Sequence, residues 1–443
     1  MTAAAAMNSL LNIREGLEED ESITSYETYQ FYPESGTQYN TPGNITITVH
    51  NSDNFYHPAC SWLEFEGNLV MKKDGKTPYT KTDEIAFVNY GILYLFDQIK
   101  YNLNSTPIET IFNPGMVANL MGLATFPDNF KQGLIECWSP DTDTTPTSSN
   151  TGFKDRRMFV TGSDPTPVGS FRFAVPIKRL FGFADDYGKI MYGFNHSLVL
   201  TKGSSDNNAL CHKPWAGSTH ASGEVEEGLV KLTNIRWMLP RVTPSDVAKF
   251  ALLKQIKDQV TLSCGFRMRQ HISLSVPQNN IFTWRLGVMA SPEQPRFVFI
   301  CFQKNRLNNQ NYLNTVYDHA DITSAHMLLN NDRYPLNDFE TDFGANRIDH
   351  VYTDFIRFRK TFYGIDPIIS STVVGPLDYK DKYPILCFDV SKQSERLKSG
   401  VTDITLHCKF SKPVDAGTRA HALLISDRRL KFKSDGEKLS VLS

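Results

Sequence analysis

Leu232 to Val260, LTNIRWMLPRVTPSDVAKFALLKQIKDQV, reads as a joint between two structures. Ile235, Trp237 and Leu239 recur at every second position, the period of a strand with one buried face. Pro240 has no amide hydrogen for a ladder and is expected to end that strand. Pro244 then keeps the chain extended before it, and Ser245 is placed to cap the free amides of a following turn. Val247, Phe250, Ala251, Leu253 and Ile256 repeat at roughly helical spacing, which predicts a short amphipathic helix between two β-rich halves.

Composition fits that division. A chain of 443 residues, 40% hydrophobic and 12% aromatic, is long enough for two cores of about 200 residues each. Its net charge of -2 supplies no global field toward nucleic acid or anionic lipid. The longest apolar run, Phe297 to Phe302, is far shorter than the roughly 20 residues of a membrane-crossing helix, so no membrane span is expected. Met1 to Leu11 has no charged start and is interrupted by Asn8 and Ser9, which makes a poor secretory signal. The cysteines (Cys60, Cys137, Cys211, Cys264, Cys301, Cys387 and Cys408) include no Cys-x-x-Cys pair and read as reduced core thiols of a protein kept in the cytosol or nucleus.

On the N-terminal side of the joint, Ile45–Val49, Trp62–Val70, Phe171–Val175 and Phe194–Thr201 alternate as strands. Ile99–Leu103 and Ile108–Phe112 flank Asn104-Ser105 as a hairpin, and Met116–Leu123 predicts a short helix. Ile85–Leu95 fits either a helix or a strand pair. Ser139–Asn150 and Gly203–Gly228 are polar and read as exposed loops. The acidic group Glu15, Glu18, Glu19, Asp20 and Glu21 marks an N-terminal arm, expected to order only by reaching a neighbour.

On the other side, strands are predicted at Val260–Phe266, Ile272–Val276, Phe282–Val288, Phe297–Phe302, Met327–Leu329, Ile385–Val390, Val401–Phe410 and Ala420–Ile425. Arg428, Arg429, Lys431, Lys433 and Lys438 make a basic tail that could touch DNA phosphates weakly and without sequence preference. Each half thus holds about eight strands, with short helices in the connections.

The halves also echo each other. Leu63–Gly67 resembles Thr283–Gly287, Asn102-Leu103-Asn104 resembles Leu328-Leu329-Asn330, and Phe173-Ala174-Val175 resembles Phe388-Asp389-Val390, at offsets clustering near 220 (287 - 67 = 220, 329 - 103 = 226, 390 - 175 = 215). The expected fold is all-β, two tandem eight-stranded jelly-roll sandwiches. The expected division is an arm over 1–40, a first jelly roll over 41–240, a linker helix over 241–260, a second jelly roll over 261–427 and a basic tail over 428–443.

Several stretches are specific in wording: Phe181-Gly182-Phe183-Ala184-Asp185-Asp186-Tyr187, Leu274-Ser275-Val276-Pro277, Phe282-Thr283-Trp284-Arg285-Leu286, Pro295-Arg296-Phe297, Asn331-Asp332-Arg333-Tyr334-Pro335 and Phe388–Glu395. They resemble a double jelly-roll family of invertebrate DNA viruses and of related sequences in invertebrate genomes. The resemblance implies a major capsid protein of the adenovirus, tectivirus and Polinton-type lineage. It implies a homotrimer forming a pseudo-hexagonal capsomer of an icosahedral shell, with minor capsid or penton proteins as further partners. Such a protein resides in the virion, is made in the host cytoplasm, and assembles in the cytoplasm or nucleus. The chain lacks the long tower insertions of larger members, so 139–157 and 203–228 are the candidates for an outer crown.

Competing chemistry finds little support. A bicupin metal site needs two histidines one residue apart on a strand, and the eleven histidines contain no such pair. Cys211, His212 and His220 could ligate zinc, though a polar loop holds such residues for no special reason. Gly75-Lys76-Thr77 mimics the end of a phosphate loop, but Val70 stands where the first glycine belongs. Asp185 and Asp186 are weak as a catalytic pair, because neighbours in an extended segment point to opposite faces, and they read instead as a solvated turn after a strand. No catalytic, cofactor or metal residue is assigned, and the chain does not read as an enzyme. The alternative is a non-viral carbohydrate- or protein-binding double β-sandwich that uses Trp215, Glu224, Glu226 and Glu227 of the second loop.

Overall fold

Alternating burial marks many strands of this protein, such as His196–Lys202 and Thr402–Phe410. In the first half the strands are β1 (Ile23–Phe31), β2 (Gly43–Val49), β3 (Trp62–Met71), β4 (Phe96–Leu103), β5 (Thr106–Phe112), β6 (Ser170–Pro176), β7 (His196–Lys202) and β8 (Gly228–Pro244). The second half supplies β9 (Leu262–Ser275), β10 (Ile281–Met289), β11 (Gln294–Lys304), β12 (Ile322–Leu329), β13 (Asp332–Glu340), β14 (Leu386–Asp389), β15 (Thr402–Phe410) and β16 (Thr418–Ser434). Strand β7 buries His196, Leu198, Leu200 and Lys202, and β15 buries Thr402, Ile404, Leu406, Cys408 and Phe410. That period of two turns one face of each sheet inward. The structure is a computed structural model and describes residues 22–34, 38–50, 53–79, 83–161, 169–212, 227–258, 261–289, 293–393, 400–434 and 439–442.

The sheet orders are β1-β8-β3-β6 and β2-β7-β4-β5 in the first half, and β9-β16-β11-β14 and β10-β15-β12-β13 in the second. Adding eight to each label of the first half gives the second. Both halves are jelly rolls, and among the described residues no sheet takes strands from both. Short helices fill the connections: α1 (Pro114–Thr125), α2 (Thr151–Thr161), α3 (Ile177–Leu180), α4 (Gly182–Asp186), α5 (Asp246–Lys257), α6 (Asp349–Tyr363) and α7 (Pro376–Asp381). Ser245 precedes α5 as expected, its Oγ accepting from the amide of Ala248. Ile85–Leu95 is neither a helix nor a hairpin but a short strand, Ile85–Phe87, followed by a 3₁₀ turn over Gly91–Leu95. No helix of the described residues is long and apolar enough to cross a membrane.

Two of the three sequence echoes occupy equivalent places. Leu103 and Leu329 end β4 and β12, and Asn104 and Asn330 follow at φ 47° and 54°, a left-handed conformation that asparagine tolerates better than most residues. Phe173 and Phe388 lie in β6 and β14. The third echo is a false match: Leu63–Gly67 belongs to β3, whose counterpart is β11, whereas Thr283–Gly287 belongs to β10. Five residues of alternating strand are too common a text to fix a register. The offset also drifts. With Phe65 opposite Phe173 and Ile235, and Val298 opposite Phe388 and Leu424, it falls to 189 between Ile235 and Leu424 (424 - 235 = 189), because the connections of the first half are longer.

Other expectations need correction. Strand β8 does not stop at Pro240. There its neighbour on one edge changes from β3, at Met238↔Trp62, to the short strand Phe55–Tyr56, at Arg241↔Tyr56, so the missing amide is not needed, and the Pro240 carbonyl accepts the amide of His57 at 2.9 Å. Residues 241–244 are therefore strand, not linker. The segment 1–40 contains β1, paired with β8 from Ile23↔Pro244 to Phe31↔Trp237; as an edge strand with an exposed face it carries few large apolar side chains and passes for an arm. Residues 1–21 lie outside the described residues. The basic tail begins as the end of β16, with Leu430, Phe432 and Ser434 buried and Arg429, Lys431 and Lys433 on the exposed face, and Leu439–Leu442 pairs back onto it. Leu262–Phe266 and Ile272–Ser275, from two separately expected strands, belong to one continuous strand, β9, together with the residues between them.

Candidate functional site

The candidate site is the seam at which the two barrels are joined by buried ion pairs. The segment Phe181–Tyr187 forms α4 and its flanks and lies against β9 of the second barrel. Arg267 and Arg269 stand two residues apart on β9 and so share a face. Asp185 accepts from Arg269 Nη2 at 2.6 Å, and Asp186 accepts from the amide of Arg267 at 2.7 Å and its Nε at 2.9 Å. The solvated-turn reading of the two acids is thus overturned. It assumed extended chain, whereas successive residues of a helical turn are only about 100° apart and both reach the same strand.

Close approach permits this. A Cβ on Gly182 would stand 1.8 Å from the carbonyl oxygen of Arg267, so only glycine fits. Arg269 also donates through Nη1 to the carbonyls of Lys178 and Arg179, at 3.0 and 2.9 Å, at the end of α3. The second barrel closes the far side: the Tyr363 hydroxyl donates to Asp185 at 2.6 Å, and the Arg267 guanidinium lies 3.4 Å from the centre of the Phe362 ring. Glu109 of β5 sits beneath, accepting the amides of Phe183 at 3.0 Å and Arg269 at 2.9 Å, and burial pushes its carboxyl up to about 7.

A second set of contacts runs along the seam from α1. Asn119 Nδ2 donates to the Tyr317 hydroxyl at 3.0 Å, and Asn113 Nδ2 meets His271 Nδ1 at 3.0 Å. His271 stacks on His421 with ring centres 5.4 Å apart and Nε2 to Nδ1 at 3.2 Å. Burial lowers His271 to about 4 and His421 well below its ordinary value, with Arg419 adding to both shifts. Because the folded values are depressed below about 6.5, the unfolded chain binds the protons first, and stability present above that pH drains away as pH falls toward 4. We expect melting temperature to fall over that window and to fall less steeply in a His271→Gln chain; parallel slopes in a pH series of thermal melts would refute the role of the pair.

The loop 139–150 is the third contact. Its exposure is mixed: Thr142, Thr145, Ser148 and Ser149 are exposed as the composition suggests, whereas Asp141 and Asn150 are buried. Arg156 of α2 donates to Asp141 at 2.7 Å, to Asn89 at 2.7 Å and to the Phe87 carbonyl at 2.8 Å, while Lys382 reaches from the second half to the Asp141 carbonyl at 2.7 Å. Part of the polar composition here reports internal hydrogen bonding, which anchors the loop through Asp141 and Asn150.

The remaining sequence candidates do not converge. Cys211 and His212 are consecutive residues of a short buried strand, and His220 lies outside the described residues, as do Trp215, Glu224 and Glu226. Glu227 pairs with Lys72. Gly75-Lys76-Thr77 is a tight turn in which Asp74 accepts the amides of Lys76 and Thr77, leaving them unavailable to a phosphate. Cys60 is exposed, unlike the other cysteines. Among the described residues no cluster of three or more His, Cys, Asp or Glu could hold a metal ion. What sequence reasoning missed is Arg267 and Arg269: two arginines on one face of a strand signal a buried acidic partner, although not which one.

The chemistry of this seam is structural. It fixes two barrels of identical strand order side by side, and the family model for the double jelly roll-like domain matches residues 144–430. The chain belongs to the double jelly roll-like family. This double jelly-roll chain is similar in fold to the mavirus major capsid protein, with a TM-score of 0.55 and 12% identity over 100% of this chain and 95% of that one. A chain of the Sputnik virophage gives a TM-score of 0.57 and 8% identity over 98% and 91%, and the Faustovirus major capsid protein 0.52 and 10% over 97% and 94%. No curated protein matches the double jelly-roll chain in sequence.

Proposed function

We propose that this protein is the major capsid protein of a DNA virus or of a virus-derived genomic element, and that its work is self-association. Three copies make a capsomer of pseudo-hexagonal outline, and capsomers tile an icosahedral shell. The observation that carries this reading is the seam: two like barrels held in one orientation present six similar lobes when repeated about a threefold axis. The two proteins of similar fold from mavirus and Faustovirus are major capsid proteins, which supports it. Apolar side chains left in the open also support it, notably Ile368 at 94%, Ile369 at 84% and Leu336 at 82% exposure, since a stable interface of more than about 2,000 Å² would cover such groups.

The role is structural rather than enzymatic, and the place of the protein is the virion, after assembly in host cytoplasm or nucleus. Minor capsid or penton proteins would fill positions that a pseudo-hexagon cannot. The stripe Arg429, Lys431 and Lys433 on the outer face of β16 would contact packaged DNA through phosphates alone. Light scattering with negative-stain microscopy tests the central claim. Purified protein is expected at three times the 50.2 kDa chain mass, in three-lobed hexagonal outlines or closed shells. A monomer that takes up glycans would instead favour a recognition protein.

A further inference from the structure

Beneath α5, where the two barrels and the joint meet, lies an apolar cavity of about 320 Å³. Phe55, Tyr192, Phe194, Val242, Leu252 and Phe432 contribute to its walls. It is far larger than the roughly 10–15 Å³ that accommodates a single water, and its walls offer water few partners. Nor does α5 end its apolar surface at the cavity: Val247 and Phe250 on its outer side are 82% and 71% exposed. Surface of this kind on one short helix calls for a cover.

The position of the chain start suggests which cover. Ser22 and Ile23, where the described residues begin, themselves line the cavity. The residues before them include Leu10, Leu11 and Ile13, an apolar cluster followed by the acidic residues Glu15, Glu18, Glu19, Asp20 and Glu21. Eight residues separate Ile13 from Ser22, a reach of at most about 30 Å, which is ample for the chain to turn back. The charges are complementary: α5 exposes Lys249, Lys254 and Lys257 against a single acid in its first turn, Asp246.

We propose that residues 8–21 dock onto their own chain, with Leu10, Leu11 and Ile13 filling the cavity beneath α5 and the acidic run lying along the lysines of that helix. The competing outcome is that the segment orders only on a neighbour, and the proposal does not depend on the capsid reading, because it concerns the dispersed chain. The same contact would cover the joint before assembly.

The test is disulfide trapping in the full chain, with the exposed Cys60 removed by Cys60→Ser. Leu11→Cys combined with Leu252→Cys, or with Gln255→Cys as a second position, is expected to link within a single chain in dilute oxidising solution. Leu11→Cys with Ile368→Cys, on a loop that does not line the cavity, is the control. Linkage no faster than this control, or linkage only between copies, would overturn the proposal. Adding Lys254→Glu and Lys257→Glu should slow the link several-fold, and Glu18→Lys with Glu19→Lys in the same chain should restore it. Rates indifferent to both reversals would overturn the assigned charge contact.

Discussion

An Arg269→Ala chain is expected to lose about 3 to 5 kcal/mol of folding stability, read from urea unfolding of the full-length protein. The side chain is 1% exposed and its guanidinium serves Asp185 and the carbonyls of Lys178 and Arg179 together. Removing it strands a carboxylate and two carbonyls in the seam, and the large term is the desolvation of groups left unpaired. Removing both charges separates that cost from simple loss of packing. Arg269→Met with Asp185→Leu should recover a good part of the loss, since an apolar pair of similar volume spares the buried charge. A loss below about 1 kcal/mol for Arg269→Ala would mean that the barrels are held by apolar contact alone.

The same seam shows what the sequence could and could not reveal. Alternation exposed β7 and β15, and Asn104-Ser105 exposed the hairpin between β4 and β5, because one buried face and a left-handed turn each leave a local mark. Ser245 and the apolar spacing after it revealed α5 for the same reason. The edge strands β1 and β13 leave no such mark: their side chains are largely exposed and the partner supplies the order. Helix α6 does carry a signal, since Val351, Phe355, Phe358 and Phe362 are buried at helical spacing, but a strand-only reading of that half omits it. The acids Asp185 and Asp186 are visible in sequence, yet Arg267 and Arg269 lie more than eighty residues away, and only the fold joins them. Long-range pairing of this kind has no local pattern to read.

The duplication itself leads to the second large effect. Phe173→Ala and Phe388→Ala are each expected to cost about 3 to 5 kcal/mol, because both rings are almost wholly buried, at 2% and 1% exposure, on strands in the same place of the same sheet order. Their surroundings differ in one respect. Phe173 lies among Phe87, Phe159 and Phe171, with ring centres 5.1 to 5.6 Å away, whereas among the described residues Phe388 meets one ring, Phe339, at 5.1 Å. Three aromatic neighbours lose more contact around a vacated site than one, and the cost of a core truncation grows with the cavity that fails to collapse. Phe173→Ala should therefore stand at the upper end of the range and Phe388→Ala at the lower. If two jelly rolls of common origin share one packing plan, both values must be large even so, and a loss under about 1 kcal/mol at either position would mean that equal strand order conceals unlike cores.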